Sequence, residues 1–454
     1  MISIRHKAEV IVIGSGIVGL MCAYQLEKAG FSVTVFDAGP DPTSGNYDRS
    51  KAGTTFRGGN ARHISATETC PHATASRSGI IYKPTWQGGW LAKDPAFLTP
   101  SETKWMADFE YFTTQSSLID NYMDDTAYVN NLGKKLWKKL KRENRDLFKN
   151  TGVKHRVSVF FLDQKTFESE ADFEDKYNPS VRRLYPKNIK KTYPGLEYAC
   201  QKGIIAGGIE EDCIAINAID FCVNVIQYLK AKGVEFRWGE RVVEITTAQD
   251  SKVIRLVTER QEAINAEYYV ISTGYFSQNL VSNTKCAGKI MGVTGVWIHI
   301  PNPDFKGSFK IDAPEPTGYI NATLKDKTLA VSGGYGFIGN DNLDLESPGI
   351  QALFSDMEGV IKKIFPESYD RALREGSLDR RACVRPMTAY GLGVFEALPT
   401  SSGGKAIIIG ANSAGGFTQA PAIAQAVVEV MKGEIKSPIP KFFDLARTEL
   451  EANR

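Results

Sequence analysis

Three short stretches hold side chains whose types and spacing suit small-molecule chemistry. In "GGNARHIS", residues 58–65, two glycines that let a backbone approach a ligand closely lead straight into Arg62 and His63. In "CVRPMT", residues 383–388, Arg385 presents a planar fork of donors that fits a carboxylate and that lysine would not reproduce. Cys383, two positions earlier, is either a small packing group or, beside a cation, a nucleophilic thiolate. The third stretch, "VIVIGSGIVG", sets Gly14, Gly16 and Gly19 at GxGxxG spacing. There the first glycine makes a tight turn, the second admits a pyrophosphate, and the third lets helix and strand pack closely. Asp37, 18 residues beyond Gly19, is placed to accept hydrogen bonds from ribose hydroxyls, and its charge disfavours a phosphate there, so NADP fits worst of the common dinucleotides.

Those residues need a scaffold, and the pattern predicts one. Ala8–Ile13 is a short apolar, β-branched run, as a strand buried in a parallel sheet should be. A helix from Ile17 to about Ala29 with Gly30 at its end follows, then a strand from Ser32 to Phe36 ending at Asp37. Residues 39–100, rich in Gly, Pro, Ser and Thr, read as a long ordered loop in which Trp86 and Trp90 shape a pocket or simply pack. Residues 101–150 read as helical. The basic face of "KKLWKKLKRENRDLFKNTG", opposite Leu136, Leu140 and Leu147, reads as solvated, with a membrane surface as the competing partner.

A helix over about 217–232 and the strand "VEFRWGERVVEI" resume the parallel pattern, "AEYYVISTGYFS" adds another buried strand, and 286–337 alternates as antiparallel strands do. Near the C-terminus the strand Ala406–Ile409 runs through Gly410, Gly415 and Gly416 into a helix from about Ala420, a second helix N-terminus for something polar. Two glycine-rich turns suit a long cofactor better than a short one.

Composition narrows the function. With 454 residues and 42% hydrophobic content, the chain can bury a core large enough for two domains. A net charge of +3 gives no basis for nucleic-acid binding. Seven scattered cysteines without a CxxC pair suggest neither a disulfide framework nor a zinc site, and point to a reducing, cytoplasmic compartment. The five histidines show no metal-ligand spacing, so no metal site is expected. Glycines break the apolar N-terminal run, which reads as neither a signal peptide nor a spanning helix.

Taken in order, "VIVIGSGIVG", "VFDAG", "GGNARHIS", "YPKNIKKTYPGL", "GIIAGGIEEDCIAINAIDF", "GVEFRWGERVVEI", "VISTGYFS", "LAVSGGYG", "CVRPMT" and "GANSAGGFTQAP" resemble the FAD-dependent D-amino acid oxidase family, which includes glycine oxidase, D-amino acid dehydrogenase and monomeric sarcosine oxidase. The resemblance covers nearly the whole chain. It implies an α/β fold: a discontinuous Rossmann-like FAD domain, 1–100, 197–285 and 375–454, with a substrate domain, 101–196 and 286–374, built on a largely antiparallel sheet.

It also implies roles. FAD would lie on Gly14, Gly16, Ile17, Val18, Gly19, Asp37 and Ala38, on Gly59, Asn60, Ala61 and Arg62, on Val242, Val243, Thr273 and Gly274, and on Cys383, Gly415, Gly416, Phe417 and Thr418. Arg62, His63, Arg385 and Tyr319 would be catalytic, with Arg62 beside the flavin and Arg385, helped by Tyr319, on a substrate carboxylate. In the sarcosine oxidases the carboxylate is bound by an Arg and a Lys whose matching positions here are Ser65 and Thr418, which favours Arg385 as the clamp. Cys383 occupies the place of the cysteine joined covalently to flavin in those enzymes, so attachment stays open beside the non-covalent expectation. Asn412 and Tyr390 stand where many relatives have His and Asp. The implied activity is oxidation of the C–N bond of a free or N-substituted amino acid, with oxygen or a quinone as acceptor. A 2-hydroxy acid oxidoreductase of the same fold, an NAD-linked dehydrogenase and a non-catalytic FAD-binding module are the alternatives.

Overall fold

The computed structural model describes residues 8–57, 63–69, 71–177, 181–248, 252–305, 308–315, 317–325 and 327–447; for 277, 279, 319 and 321–325 only the backbone is described. Two large sheets organise the described chain. The first has six strands in the order Val394–Pro399, Lys405–Gly410, Tyr268–Ile271, Glu9–Ile13, Ser32–Asp37 and Glu235–Trp238. All are parallel except the edge strand Val394–Pro399. Val10 and Val12 are fully buried at its centre, which is why this strand reads as an unbroken apolar run rather than an alternation.

Helix Ile17–Lys28 follows the glycine turn, and helix Gly416–Met431 packs against it from the far end of the sequence. The turn is tight enough to need its glycines: Gly14 has φ +98°, and a β-carbon on Gly19 would coincide with the Gly14 carbonyl oxygen. Ser272, at the end of the neighbouring strand, donates from its hydroxyl to the Ile13 carbonyl at 2.9 Å and seals the same point.

The second sheet is largely antiparallel and contains His63–Ile64, Lys154–Phe161, Arg182–Leu184, Gly207–Ala215, Met291–Pro301, Phe309–Asp312, Tyr319–Lys325, Thr328–Gly339 and Asp379–Met387. Within it only Phe309–Asp312 and Lys154–Phe161 run parallel. A small antiparallel sheet, Val242–Thr247, Val253–Thr258 and Ala263–Ile264, stands apart.

Three expectations change. "VEFRWGERVVEI" is two strands in two different sheets, because Gly239 at φ +72° turns the chain after Trp238. Strands Gly207–Ala215 and Asp379–Met387, expected within the cofactor unit, pair in the second sheet. The last long helix starts at Gly416, four residues before the expected Ala420, and carries Pro421 inside it. Proline cannot donate to the Phe417 carbonyl one turn back. Trp137 repairs the loss, its indole N–H donating to that carbonyl at 3.0 Å.

Trp137 lies on helix Ser116–Glu143, whose basic face is partly consumed internally. Lys134 is nearly buried against Asp212, Lys138 pairs with the same carboxylate at 3.2 Å, and Gly133 lets the helix backbone sit on Thr418. No helix among the described residues is long and apolar enough to cross a membrane. Residues 39–100 hold little beyond six 3-10 turns among those described, yet they bury Ile81, Trp90 and Leu91. Lys93 from this region reaches Glu102 at 3.0 Å and Asp341 at 2.8 Å, and Glu102 is wholly buried. Glu102→Ala leaves buried Lys93 with Asp341 alone and removes the acceptor of the Thr99 and Asn340 backbone N–H groups, each at 2.7 Å, so it is expected to cost about 3–5 kcal/mol of stability, read by denaturant unfolding.

Candidate active site

A cavity of about 1090 Å³, at the top of the usual range for ligand pockets, runs between the two sheets. At one end it is walled by Gly14, Gly16, Ile17, Val18, Asp37 and Ala38; Val242, Thr273 and Gly274, then Gly416 and Phe417, line it further along. Helices Ile17–Lys28 and Gly416–Met431 both point N-termini at it, each capped by a glycine, which has no side chain to accept from the first-turn N–H groups; the Thr55 hydroxyl accepts from Ile17 at 3.3 Å. Asp37 is already fixed: one oxygen accepts from the Ser15 N–H at 2.6 Å and hydroxyl at 2.7 Å, the other from the Gly39 N–H at 2.7 Å. A carboxylate has lone pairs to spare for ribose hydroxyls. Asn412 adds a buried Oδ1 with no hydrogen-bond partner among the described residues, while its amide donates to Gln419 at 3.0 Å. An elongated cavity with two helix N-termini, a held carboxylate and a waiting acceptor fits an extended dinucleotide.

The other end is built on the second sheet. Arg385 lines the cavity with one guanidinium nitrogen anchored 2.8 Å from the Gly334 carbonyl and its head over the Tyr335 ring. It makes no ion pair among the described residues. Arg77, which the sequence reading did not single out, lies against the same tyrosine, but Glu315 holds it at 2.7 Å. Tyr335 stacks on Trp90 at 4.5 Å, and Trp90 in turn donates to Glu315 at 2.9 Å.

His72 sits between these groups. Arg77 can only donate to its Nδ1, at 3.3 Å, which leaves the proton on Nε2 and directs it to Ser413 at 3.1 Å. Burial, with Arg77 and Arg385 nearby, pushes this imidazole well below its usual pKa, so it is neutral at pH 7. Cys383 also lines the cavity, and burial pushes its thiol up to about 12 despite Arg385 and Arg57.

Several residues singled out in the sequence lie elsewhere. Gly59, Asn60, Ala61 and Arg62 are outside the described residues, as is the side chain of Tyr319, whose backbone opens strand Tyr319–Lys325. His63 and Thr418 are fully buried away from the cavity lining, the Thr418 hydroxyl donating to the His63 carbonyl at 3.1 Å. Val243 faces solvent because strand alternation turns only Val242 inward. Gly19 and Gly415 pack beneath their turns, Gly415 against Thr69. Trp86 is exposed, Tyr390 packs on Phe112 at 5.6 Å, and neither lines the cavity.

The cavity also contains charges that no motif announced. Lys310, on strand Phe309–Asp312, is buried 2.9 Å from Glu68 and 3.8 Å from Glu211. Glu174, on helix Gln164–Tyr177, joins them, and its pKa is raised to about 8, first by burial and then by Glu211.

Comparison with known proteins places this geometry in a family. The model of the DAO family, described as FAD dependent oxidoreductase, matches residues 9–430. A D-amino acid dehydrogenase from Vibrio vulnificus (strain CMCP6) is 25% identical over 406 residues, covering 86% of this chain and 88% of its own. Among solved structures, L-proline dehydrogenase from P. horikoshii superposes with a TM-score of 0.63 at 18% identity, covering 98% of both chains. Glycine oxidase from Bacillus cereus ATCC 14579 gives 0.59 at 12%, covering 96% of this chain and 98% of that one. At such identities the structures show a common fold.

The raised Glu174 carboxyl has a consequence for stability. Between its ordinary value of 4.5 and about 8 the folded chain keeps a proton that the unfolded chain has lost, so this group costs increasing stability as pH rises through that window. Glu174→Gln is expected to raise the melting temperature at pH 8, with the gain shrinking toward pH 4.5.

Proposed function

Because the chain belongs to the family of FAD dependent oxidoreductases, we propose that it oxidises the C–N bond of a free or N-substituted amino acid whose carboxylate is held by Arg385. The observation that supports this most is a cavity arginine with one arm anchored on the Gly334 carbonyl and no acidic partner among the described residues. A half-buried guanidinium in that state has its remaining donors open to a substrate carboxylate, and bidentate geometry would fix the substrate's orientation. Arg77, neutralised by Glu315, does not compete for the anion. The relatives' names, D-amino acid dehydrogenase, glycine oxidase and L-proline dehydrogenase, agree with an amino acid as substrate.

The residues that would hold FAD are those of the two glycine-rich turns, with Asp37 on the ribose and Val242, Thr273 and Gly274 along the far wall. When bound, FAD supplies the acceptor for the hydride leaving the substrate carbon. The chain's own part is to bind and orient. Arg385 fixes the carboxylate, Tyr335 and Trp90 brace Arg385 from one side, and neutral His72 adds no second positive charge. An amine that enters neutral needs no base to lose a proton first, and water hydrolyses the product imine to a keto acid and an amine. Oxygen or a quinone then takes the electrons. Peroxide release distinguishes the first acceptor from the second.

Removing Arg385 should cost about 2–5 kcal/mol in kcat/KM, with Arg385→Lys recovering little of it. The check is anaerobic bleaching of the long-wavelength flavin band by D-, L- and N-methyl amino acids in wild type and Arg385→Ala. Bleaching by 2-hydroxy acids alone would replace the amine with an alcohol as the oxidised group. The protonated Cys383 thiol supports non-covalent flavin, so acid precipitation should release all colour into the supernatant. Colour kept by wild type and lost in Cys383→Ser would contradict this.

A further inference from the structure

The cavity continues past Arg385 into a lobe of opposite charge. Glu68, Glu170, Glu174 and Glu211 all line it, facing the single ammonium of Lys310. They come from separate parts of the chain: Glu68 follows strand His63–Ile64, Glu211 lies on strand Gly207–Ala215, and Glu170 and Glu174 share one face of helix Gln164–Tyr177. Glu174 and Glu211 are more than nine-tenths buried, and the Oε2 of each accepts no hydrogen bond from any described residue. Lys310 approaches the second of these only to 3.8 Å. Desolvated carboxylate oxygens in an open cavity are costly unless a donor is supplied from outside the fold. Met123 and Phe173 line the same region and give an apolar wall beside the acids.

The lobe and Arg385 open onto one face of one sheet. Lys310 is in register with Asn321, that with Ser332, Ser332 with Trp297, and Trp297 with Arg381. Directly paired residues share a face, as do positions 381, 383 and 385 along their strand, so Lys310 and Arg385 rise from the same surface. Four strand spacings across the sheet and four residues along the strand separate them, about 23 Å between backbones, and the cavity spans that distance with side chains projecting into it from both ends. Tyr335 feels the charges of both Arg385 and Glu68.

We propose that this lobe binds a cationic group on the substrate itself, so that the preferred amino acids carry a terminal ammonium or guanidinium, as lysine, ornithine and arginine do. This rests on the reading that Arg385 holds the substrate carboxylate. A metal ion is a poor occupant: no group of three or more His, Cys, Asp or Glu among the described residues is arranged to hold one. A docking organic cation favours the ionised form of Glu174, so its binding beside Glu68, Glu170 and Glu211 releases the Glu174 proton to solvent and strengthens as pH rises toward about 8.

The test uses the FAD-loaded enzyme and two acids that lack an α-amine, 6-aminohexanoate and hexanoate, titrated calorimetrically. At least tenfold tighter binding of 6-aminohexanoate is expected, with the ratio falling toward one in Glu174→Gln and in Glu174→Gln/Glu211→Gln. Equal affinities, no binding of either acid, or a ratio unmoved by both variants would overturn the proposal. Anaerobic bleaching by lysine and norleucine separates it from the reading beneath it. Norleucine as fast as lysine sinks the cationic lobe and leaves amino acid oxidation standing. A binding preference for the ammonium without bleaching by any amino acid keeps the lobe and sinks the oxidation.

Discussion

The carbonyl oxygen of Gly14 occupies the space a β-carbon on Gly19 would need, and Ser272 closes on the same turn from the adjacent strand. That close packing sets how deeply helix Ile17–Lys28 seats against the parallel sheet, and so where its N-terminus points. The rest of the cavity is arranged around this end. Asp37 is held by Ser15, inside the turn itself, and helix Gly416–Met431 packs on Ile17–Lys28 so that both helix dipoles meet the same space. The second sheet then needs only to close the other side.

Charge is divided sharply along that space. The Arg385 guanidinium is braced but not neutralised, whereas Arg77, close to the same tyrosine, is cancelled by Glu315. Beyond them the carboxylates outnumber Lys310. Burying so many like charges works against stability, and the raised Glu174 carboxyl is the trace of that cost. Folds retain such arrangements where ligand recognition compensates for them.

The local rules carried the sequence reading as far as local rules extend. The strand Glu9–Ile13, its glycine turn, the helix after it and the position of Asp37 depend on neighbouring residues, and they were legible as such. The start of the last helix was not. Glycines 415 and 416 read as a turn before the helix, but the helix opens on Gly416, and an indole 280 positions away restores the carbonyl that Pro421 leaves unbonded. The acidic lobe was equally hidden. Lys310 in "FKID" alternates like a solvent-facing strand residue, and its partners Glu68 and Glu211 come from other elements. Arg77 sits in a stretch without periodicity, its carboxylate partner 238 residues on. His63 and Val243 were placed by motif, and a strand's alternation or pairing turned them away from the cavity.

The strand order has a bearing on biosynthesis. Strand Glu9–Ile13 finds one neighbour at once in Ser32–Asp37, but its other neighbour, Tyr268–Ile271, comes 231 residues after Asp37. At ordinary ribosomal speeds of about 5–20 residues per second, that apolar edge waits about 12–46 seconds. Lys405–Gly410 and the helix Gly416–Met431 that completes the cavity follow later still. A nascent chain of this protein therefore carries an unpaired hydrophobic strand edge through 231 residues of synthesis, the interval in which misplaced strand pairing is most open to it.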